Sequence, residues 1–166
     1  MKYIQKNILI VAAARTGSTR LTELCSAYPD LNALGEIFNV NSDPRSPFRS
    51  TELLYEMGSI TVSDHGVARA FCQSSPFEVL PILGSNGKTN VLKVAPRHLP
   101  ADVLIELFKN QISGVIFLTR NPIDSYISLQ KARMASSWGR KDTTDIRVTL
   151  EVPKFLAYCR QLNAFY

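Results

Sequence analysis

The chain has 166 residues, 45% of them hydrophobic and 20% charged, which is ordinary for a soluble globular protein. This length favours a single domain spanning residues 1–166. The net charge is +5, but the basic residues are scattered along the chain. Their spacing argues against a nucleic-acid-binding arm and leaves two interpretations open, an anionic small substrate or no functional meaning.

Three cysteines, Cys25, Cys72 and Cys159, are widely spaced and form no C-x-x-C pair. This pattern indicates buried free thiols in a reducing compartment rather than a zinc site or a disulfide framework. No stretch approaches the roughly 18 apolar residues of a membrane span, and the N-terminus is a poor signal peptide. We therefore expect a cytoplasmic protein without a membrane span or a bound metal.

Apolar runs and helical periodicities alternate along the chain. The runs predict three buried strands, at 6–12, 89–95 and 114–119. The periodic segments predict six helices, at 18–28, 51–57, 77–83, 100–110, 122–135 and 152–166. Segment 31–38 is short and apolar, 39–50 is loop-like, and 58–75 has no clear pattern. Buried strands alternating with helices favour an α/β fold with a central parallel sheet flanked by helices in three layers.

Basic residues lie at or near the ends of all three predicted strands. Arg15 follows the first, Lys93 and Arg97 lie at the end of the second, and Arg120 follows the third. Parallel α/β sheets bind ligands beyond the carboxyl ends of their strands. The sequence therefore predicts an anion-binding site at this edge of the sheet.

The segment 8–24, ILIVAAARTGSTRLTEL, is the most informative one, because a buried strand meets a small-residue loop and then a helix. This layout cradles phosphates with backbone N–H groups and a helix dipole. In the ATP-binding form, G-x-x-x-x-G-K-[ST], a lysine reaches the β- and γ-phosphates. Here Ala12 replaces the first glycine and Ser18 the lysine, while Gly17 and Thr19 keep the register. A phosphate-like ligand other than a nucleoside triphosphate is favoured.

A second motif lies at 115–128, VIFLTRNPIDSYIS. Arg120 leaves a strand just before a helix, which Asn121 can cap and Pro122 can begin. Ser128 follows eight residues after Arg120, about two helical turns on. A guanidinium and a hydroxyl can grip one phosphate together, although a surface arginine and a solvated serine would give the same pattern.

Together, the two motifs resemble those of the sulfotransferase superfamily, whose members move a sulfuryl group from PAPS (3′-phosphoadenosine-5′-phosphosulfate) to an acceptor. Residues 15–19, RTGST, resemble the family's 5′-phosphosulfate loop. Residues 115–128 resemble its 3′-phosphate motif. Further similarities are to carbohydrate- and protein-modifying members, at 28–30 with Gly35-Glu36 and at 92–99 (LKVAPRHL), and to some bacterial members, at Lys131-Ala132 with Trp138. The resemblance covers residues 6–138.

The resemblance implies a P-loop-like three-layer fold and gives roles to particular residues. Those expected to bind PAPS are Arg15, Thr16, Gly17, Ser18, Thr19, Arg20, Arg120 and Ser128. Arg15 and Lys93 would stabilise the charge on the leaving phosphate, and Glu36 would be the base for the acceptor hydroxyl. We expect a raised pKa for this half-buried carboxylate.

Two departures from the family pattern bear on function. In the family, a further strand and a nucleotide-contacting region follow a helix like 152–166, so we expect a minimal or truncated form. Arg15 stands where members acting on small phenols and steroids carry lysine, which favours a carbohydrate or glycolipid acceptor.

Several alternatives stay open at this stage. Lys93 has a structural interpretation as a strand-edge lysine, and Glu36 as a capping or ion-paired residue. Asp64-His65 is a rival base, His98 suits a packing role, and Trp138 suits either a core anchor or a lid. The competing functions are a P-loop kinase and a non-catalytic protein that retains a PAPS or nucleotide pocket.

Overall fold

A computed structural model describes residues 6–39, 65–83, 87–137 and 142–166. Its strands are β1 (Asn7–Ala12), β2 (Leu31–Gly35), β3 (Thr89–Val94) and β4 (Gly114–Leu118). Its helices are α1 (Ser18–Ser26), α2 (His65–Ser74), α3 (Pro76–Leu83), α4 (Ala101–Asn110), α5 (Pro122–Met134) and α6 (Val152–Phe165). The predicted helix 51–57, most of the loop 39–50 and Trp138 lie outside the described residues.

The four strands form one parallel sheet in the order β2-β3-β1-β4, and helices cover both faces. On one face Leu9, Val11, Leu92 and Val94 join the larger core, to which α2, α3 and α4 contribute. On the other face Ile10, Ala12 and Val91 pack against Leu21 and Cys25 of α1. The α/β fold with a central parallel sheet between helices is therefore confirmed.

The three predicted strands and five of the predicted helices are present within one or two residues, and β2 is an additional strand. Among the described strands, β2 pairs only with β3, and its register shifts between Ala33 and Gly35. Its five residues include Asn32 and end at Gly35, whose φ is +65°. A strand so short and irregular has no clear alternating pattern, which explains why the sequence does not predict it.

The prediction of a buried third strand is wrong for β4. Val115, Ile116 and Phe117 are 38%, 40% and 59% exposed, because β4 lies at the edge of the sheet. Helix α6 is also less buried than its apolar stripe predicts, since none of its residues is fully buried and Leu156 is 51% exposed.

Two sets of side-chain hydrogen bonds stabilise this fold. Helix α3 contains Pro81, which has no N–H to donate to the carbonyl of Phe77 four residues earlier. The side-chain amide of Gln111 donates to that carbonyl instead, at 3.0 Å.

At the amino ends of the strands, three asparagine side chains form a chain of hydrogen bonds across the sheet. Asn32 donates to Asn90 at 3.0 Å, and Asn90 donates to Asn7 at 2.9 Å. Asn7 in turn donates to the carbonyl of Gln111 at 2.9 Å. Asn7 and Asn90 are both buried, so these bonds satisfy amides that would otherwise be costly.

All three cysteines are free: Cys72 is buried, whereas Cys25 and Cys159 are only partly buried. Among the described helices, none is long and apolar enough to cross a bilayer.

Candidate active site

The turn between β1 and α1 has the backbone of an anion-binding loop. Gly17 caps α1 at φ +92°, a left-handed conformation that favours glycine, and an added Cβ would meet nothing within 4 Å. Glycine is therefore required here by backbone conformation rather than by space. Thr16 Oγ1 closes the turn by donating to the carbonyl of Ala13 at 2.9 Å.

Helix α1 begins without a side-chain cap and without an acidic residue in its first turn. The first N–H groups of any helix have no partner inside the helix, and they attract anions. Arg15 lies just before them with φ +68°, a costly conformation for a residue with a side chain. The loop thus offers backbone donors and a guanidinium at the same helix end.

The second motif meets this loop directly. Arg15 Nε donates to Ser128 Oγ at 3.0 Å, and Arg120 Nη1 donates to the carbonyl of Arg15 at 3.3 Å. Ser128 is on α5, whose start is fixed by Pro122 and by the Asn121 side chain, which accepts from Ile123 N at 3.0 Å. The predicted cap is confirmed, and residues 105 apart in the chain lie in contact.

The Tyr166 hydroxyl forms hydrogen bonds at the ends of both strands that lead into these motifs. Its hydroxyl accepts from the N–H of Ala13 at 2.9 Å and donates to the carbonyl of Leu118 at 2.7 Å. The pairing of β1 with β4 ends at Ala12 and Leu118. The Tyr166 hydroxyl therefore bridges the two chain segments at the point where direct strand pairing stops. Sequence reasoning missed this residue, because one tyrosine after an amphipathic helix carries no distinguishing signal.

An ion pair lies at the ends of β2 and β3. Lys93 Nζ pairs with Glu36 Oε1, and the lysine side chain is only 9% exposed. Lys93 Nζ also lies 3.5 Å from Thr19 Oγ1 in the first turn of α1. Lys93 thus brings a cation to the loop from a neighbouring strand, although the loop itself has Ser18 where ATP-binding loops carry lysine.

The expected rise in the pKa of Glu36 is wrong. Burial raises the pKa of this carboxyl, but the charge and hydrogen bond of Lys93 and a hydrogen bond from Asn39 (2.7 Å) outweigh burial. The result is a pKa below the ordinary value, so Glu36 is ionised at neutral pH.

His98 forms the third side of this cluster. Its Nδ1 accepts from the N–H of Ala95 at 3.2 Å, and its Nε2 lies 3.9 Å from Glu36 Oε2. Burial lowers the pKa of His98, and the nearby Lys93 adds to this effect, while Glu36 opposes it. The ring is therefore neutral at pH 7, with its proton on the nitrogen that faces the carboxylate.

The remaining predicted residues lie around this edge or beyond it. Arg20 is on the exposed side of α1, where it pairs with Glu23 at 3.5 Å and its side chain is 69% exposed. Ser18 is buried at the start of α1. Asp64 lies outside the described residues, and His65 begins α2.

The strand order arranges the cluster along one line. Glu36 follows β2, Lys93 ends β3, Arg15 follows β1 and Arg120 follows β4, and the sheet order is β2-β3-β1-β4. A carboxylate thus lies at one end of the row and three cations follow it. Within the described parts of the chain, no three His, Cys, Asp or Glu side chains group closely enough to hold a metal ion.

Comparison with known proteins gives one family. No curated protein and no solved structure matches the chain significantly. The family model for the sulfotransferase domain matches residues 5–156, which is nearly the whole chain and includes every motif described above. The chain therefore belongs to the sulfotransferase family.

Proposed function

We propose that this protein transfers a sulfuryl group from PAPS to a hydroxyl group of a carbohydrate acceptor. Membership of the sulfotransferase family supports a transferase that moves sulfuryl groups. The donor and the acceptor are inferred from the residues at the carboxyl edge of the sheet.

The contact between the two anion-binding motifs carries the proposal. PAPS bears anions at both ends of its ribose, a 5′-phosphosulfate and a 3′-phosphate. The Arg15 loop would hold the first, and Arg120 with Ser128 would hold the second. The hydrogen bond from Arg15 Nε to Ser128 Oγ, at 3.0 Å, supports this assignment, because one small ligand must reach both motifs at once.

The reaction demands an in-line attack and a site for developing negative charge. The acceptor oxygen forms a bond to sulfur while the bond from sulfur to the bridging phosphate oxygen breaks. The electron pair of that bond passes to the phosphate. Arg15 and the N–H groups at the start of α1 would stabilise this charge, since preorganised donors act strongly where charge develops.

Glu36 would accept the proton of the acceptor hydroxyl. The ion pair with Lys93 keeps this carboxylate ionised, and therefore able to take a proton, but it also makes the carboxylate a weak base. Lys93 lies within reach of Thr19, beside the loop. We infer that a turn of Lys93 towards the leaving phosphate would release Glu36 and raise its basicity as charge moves onto the donor.

Donor binding is tested by calorimetry with 3′,5′-ADP, the desulfated product, and with 5′-AMP, which lacks the 3′-phosphate. Replacing Arg120 by Ala should weaken binding of 3′,5′-ADP at least tenfold and leave 5′-AMP nearly unchanged. Arg133→Ala is the matched control, because Arg133 is exposed in the last turn of α5. Equal losses for both nucleotides would show that Arg120 does not bind the 3′-phosphate.

Transfer is tested with labelled PAPS and a panel of sugars. Arg15→Ala should abolish turnover while the fold is retained, and Glu36→Gln should lower kcat with little change in donor affinity. Tighter binding of ATP with Mg²⁺ than of 3′,5′-ADP would favour the kinase alternative instead. Binding of 3′,5′-ADP without transfer to any sugar would favour a non-catalytic nucleotide-binding protein.

A further inference from the structure

A cleft of about 500 Å³ opens beside the segment that follows β3. Its lining comes from the end of α2 and from the segment that joins β3 to α4: Ala70, Gln73, Ser74, Arg97, Leu99 and Pro100. This volume falls within the range that small-molecule sites occupy. No role described above uses the cleft.

His98 links the lining of the cleft to Glu36. Arg97 and Leu99, two of its lining residues, flank His98 in the chain, and the His98 ring lies 3.9 Å from Glu36 Oε2. Gln73, on the opposite wall, donates to the carbonyl of His98 at 2.7 Å. The two walls of the cleft are thus joined through the residue that faces the carboxylate.

The strand order shows where the cleft lies relative to the residues assigned to the donor. The residues assigned to the donor follow β1 and β4, whereas the cleft borders the segment after β3, on the same side as Glu36. A ligand in the cleft would therefore lie nearer the end of the row that holds Glu36 than the end that holds Arg120.

The chemistry of the lining selects an acceptor class. Beside the apolar residues Ala70, Leu99 and Pro100, an amide, a hydroxyl and a guanidinium line the cleft, and none of its described lining residues is aromatic. Arg97 is exposed, has φ +73°, and pairs with no carboxylate among the described residues. A left-handed arginine is strained, which is a common feature of positions that serve a ligand.

We propose that the cleft binds the acceptor and that Arg97 pairs with an anionic group, such as a carboxylate, on an acidic sugar. This inference rests on the proposed function, because it takes Glu36 as the base and PAPS as the donor. Guanidinium groups pair with carboxylates through two parallel hydrogen bonds, which gives both affinity and orientation.

The test compares a phenyl glucuronide with the matching glucoside, which lacks the carboxylate. Both are titrated by calorimetry into protein saturated with 3′,5′-ADP. We expect the glucuronide to bind about tenfold more tightly, and the Arg97→Gln variant to lose this preference. The Arg97→Lys variant, which keeps the charge but not the paired donors, should retain part of it.

Lys109→Gln is the charge-matched control, because Lys109 is exposed at the far end of α4, away from the cleft. It should leave the preference intact. Normal binding of 3′,5′-ADP by Arg97→Gln serves as the check that this variant is folded.

The outcomes separate this inference from the proposed function. If 3′,5′-ADP binds but the glucuronide binds no better than the glucoside, the anionic subsite is wrong and the donor assignment stands. The same conclusion follows if Arg97→Gln keeps the preference. If 3′,5′-ADP itself does not bind the unmodified protein, the proposed function fails, and this inference fails with it.

Discussion

Replacing Lys93 by Met should destabilise the protein through the carboxylate that is left behind. The methionine keeps most of the buried aliphatic stem of Lys93 but removes its charge. Among the described residues, Glu36, whose side chain is 27% exposed, then keeps only the hydrogen bond from Asn39 and the neutral ring of His98. A carboxylate in this position is desolvated without a cation to compensate it.

The magnitude follows from the burial of the pair. Removing one partner of a fully buried ion pair costs about 3–5 kcal/mol. Because Glu36 is partly exposed and retains Asn39, we expect about 2 kcal/mol for Lys93→Met. For a chain of this length, that loss corresponds to a fall in Tm of about 4–8 °C.

A double-mutant cycle in urea isolates the pair. Glu36→Gln removes the carboxylate charge, so Lys93→Met should cost about 1–2 kcal/mol less in the Glu36→Gln background than in the unmodified protein. Wild-type stability for Lys93→Met, or a coupling energy near zero, would refute the reasoning, because neither result is compatible with a buried, mutually dependent pair.

Three further predictions follow from the site. Gly17→Ala should lower the free energy of unfolding in urea by about 1–2 kcal/mol, because residue 17 has a positive φ. Gly114→Ala is the control and should be nearly neutral, because there is ordinary space for a Cβ at that position. Equal losses of stability would contradict the conformational argument. Tyr166→Phe should cost about 1 kcal/mol and weaken 3′,5′-ADP binding, and Tyr28→Phe, at a side chain 63% exposed, should change neither. As the pH drops below about 4.5, the urea midpoint of unfolding should fall more steeply for the unmodified protein than for Glu36→Gln. A carboxyl with a lowered pKa stabilises the fold above its ordinary pKa, and this stabilisation is lost when the carboxyl is protonated. Parallel curves for the two proteins would show that the pair with Lys93 contributes nothing to stability.

The sequence predicts the elements that have strong local signals. The apolar runs locate β1 and β3, and the small-residue loop predicts the turn between β1 and α1, in which Gly17 has a positive φ. The capping signal Asn121-Pro122 places the start of α5 correctly. In each case a few neighbouring residues contain the whole physical cause, so a single sequence is sufficient.

Long-range contacts account for the features that the sequence does not predict. Neither the pairing of Glu36 with Lys93 nor its effect on the pKa can be read from residues 57 positions apart in the chain. The Tyr166 bridge depends on where α6 returns to the sheet. The exposure of β4 depends on strand order, which hydrophobicity along one strand does not encode.

The asparagine chain at the amino ends of the strands has a consequence for chemistry at the opposite edge. A slip of one residue in strand pairing would turn every side chain of β3 to the other face of the sheet. Lys93, only three residues beyond Asn90, would then point into the larger apolar core instead of towards Thr19. The asparagine amides thereby protect, from about 10 Å away, the alignment of the side chains that we propose bind the donor and act on the acceptor.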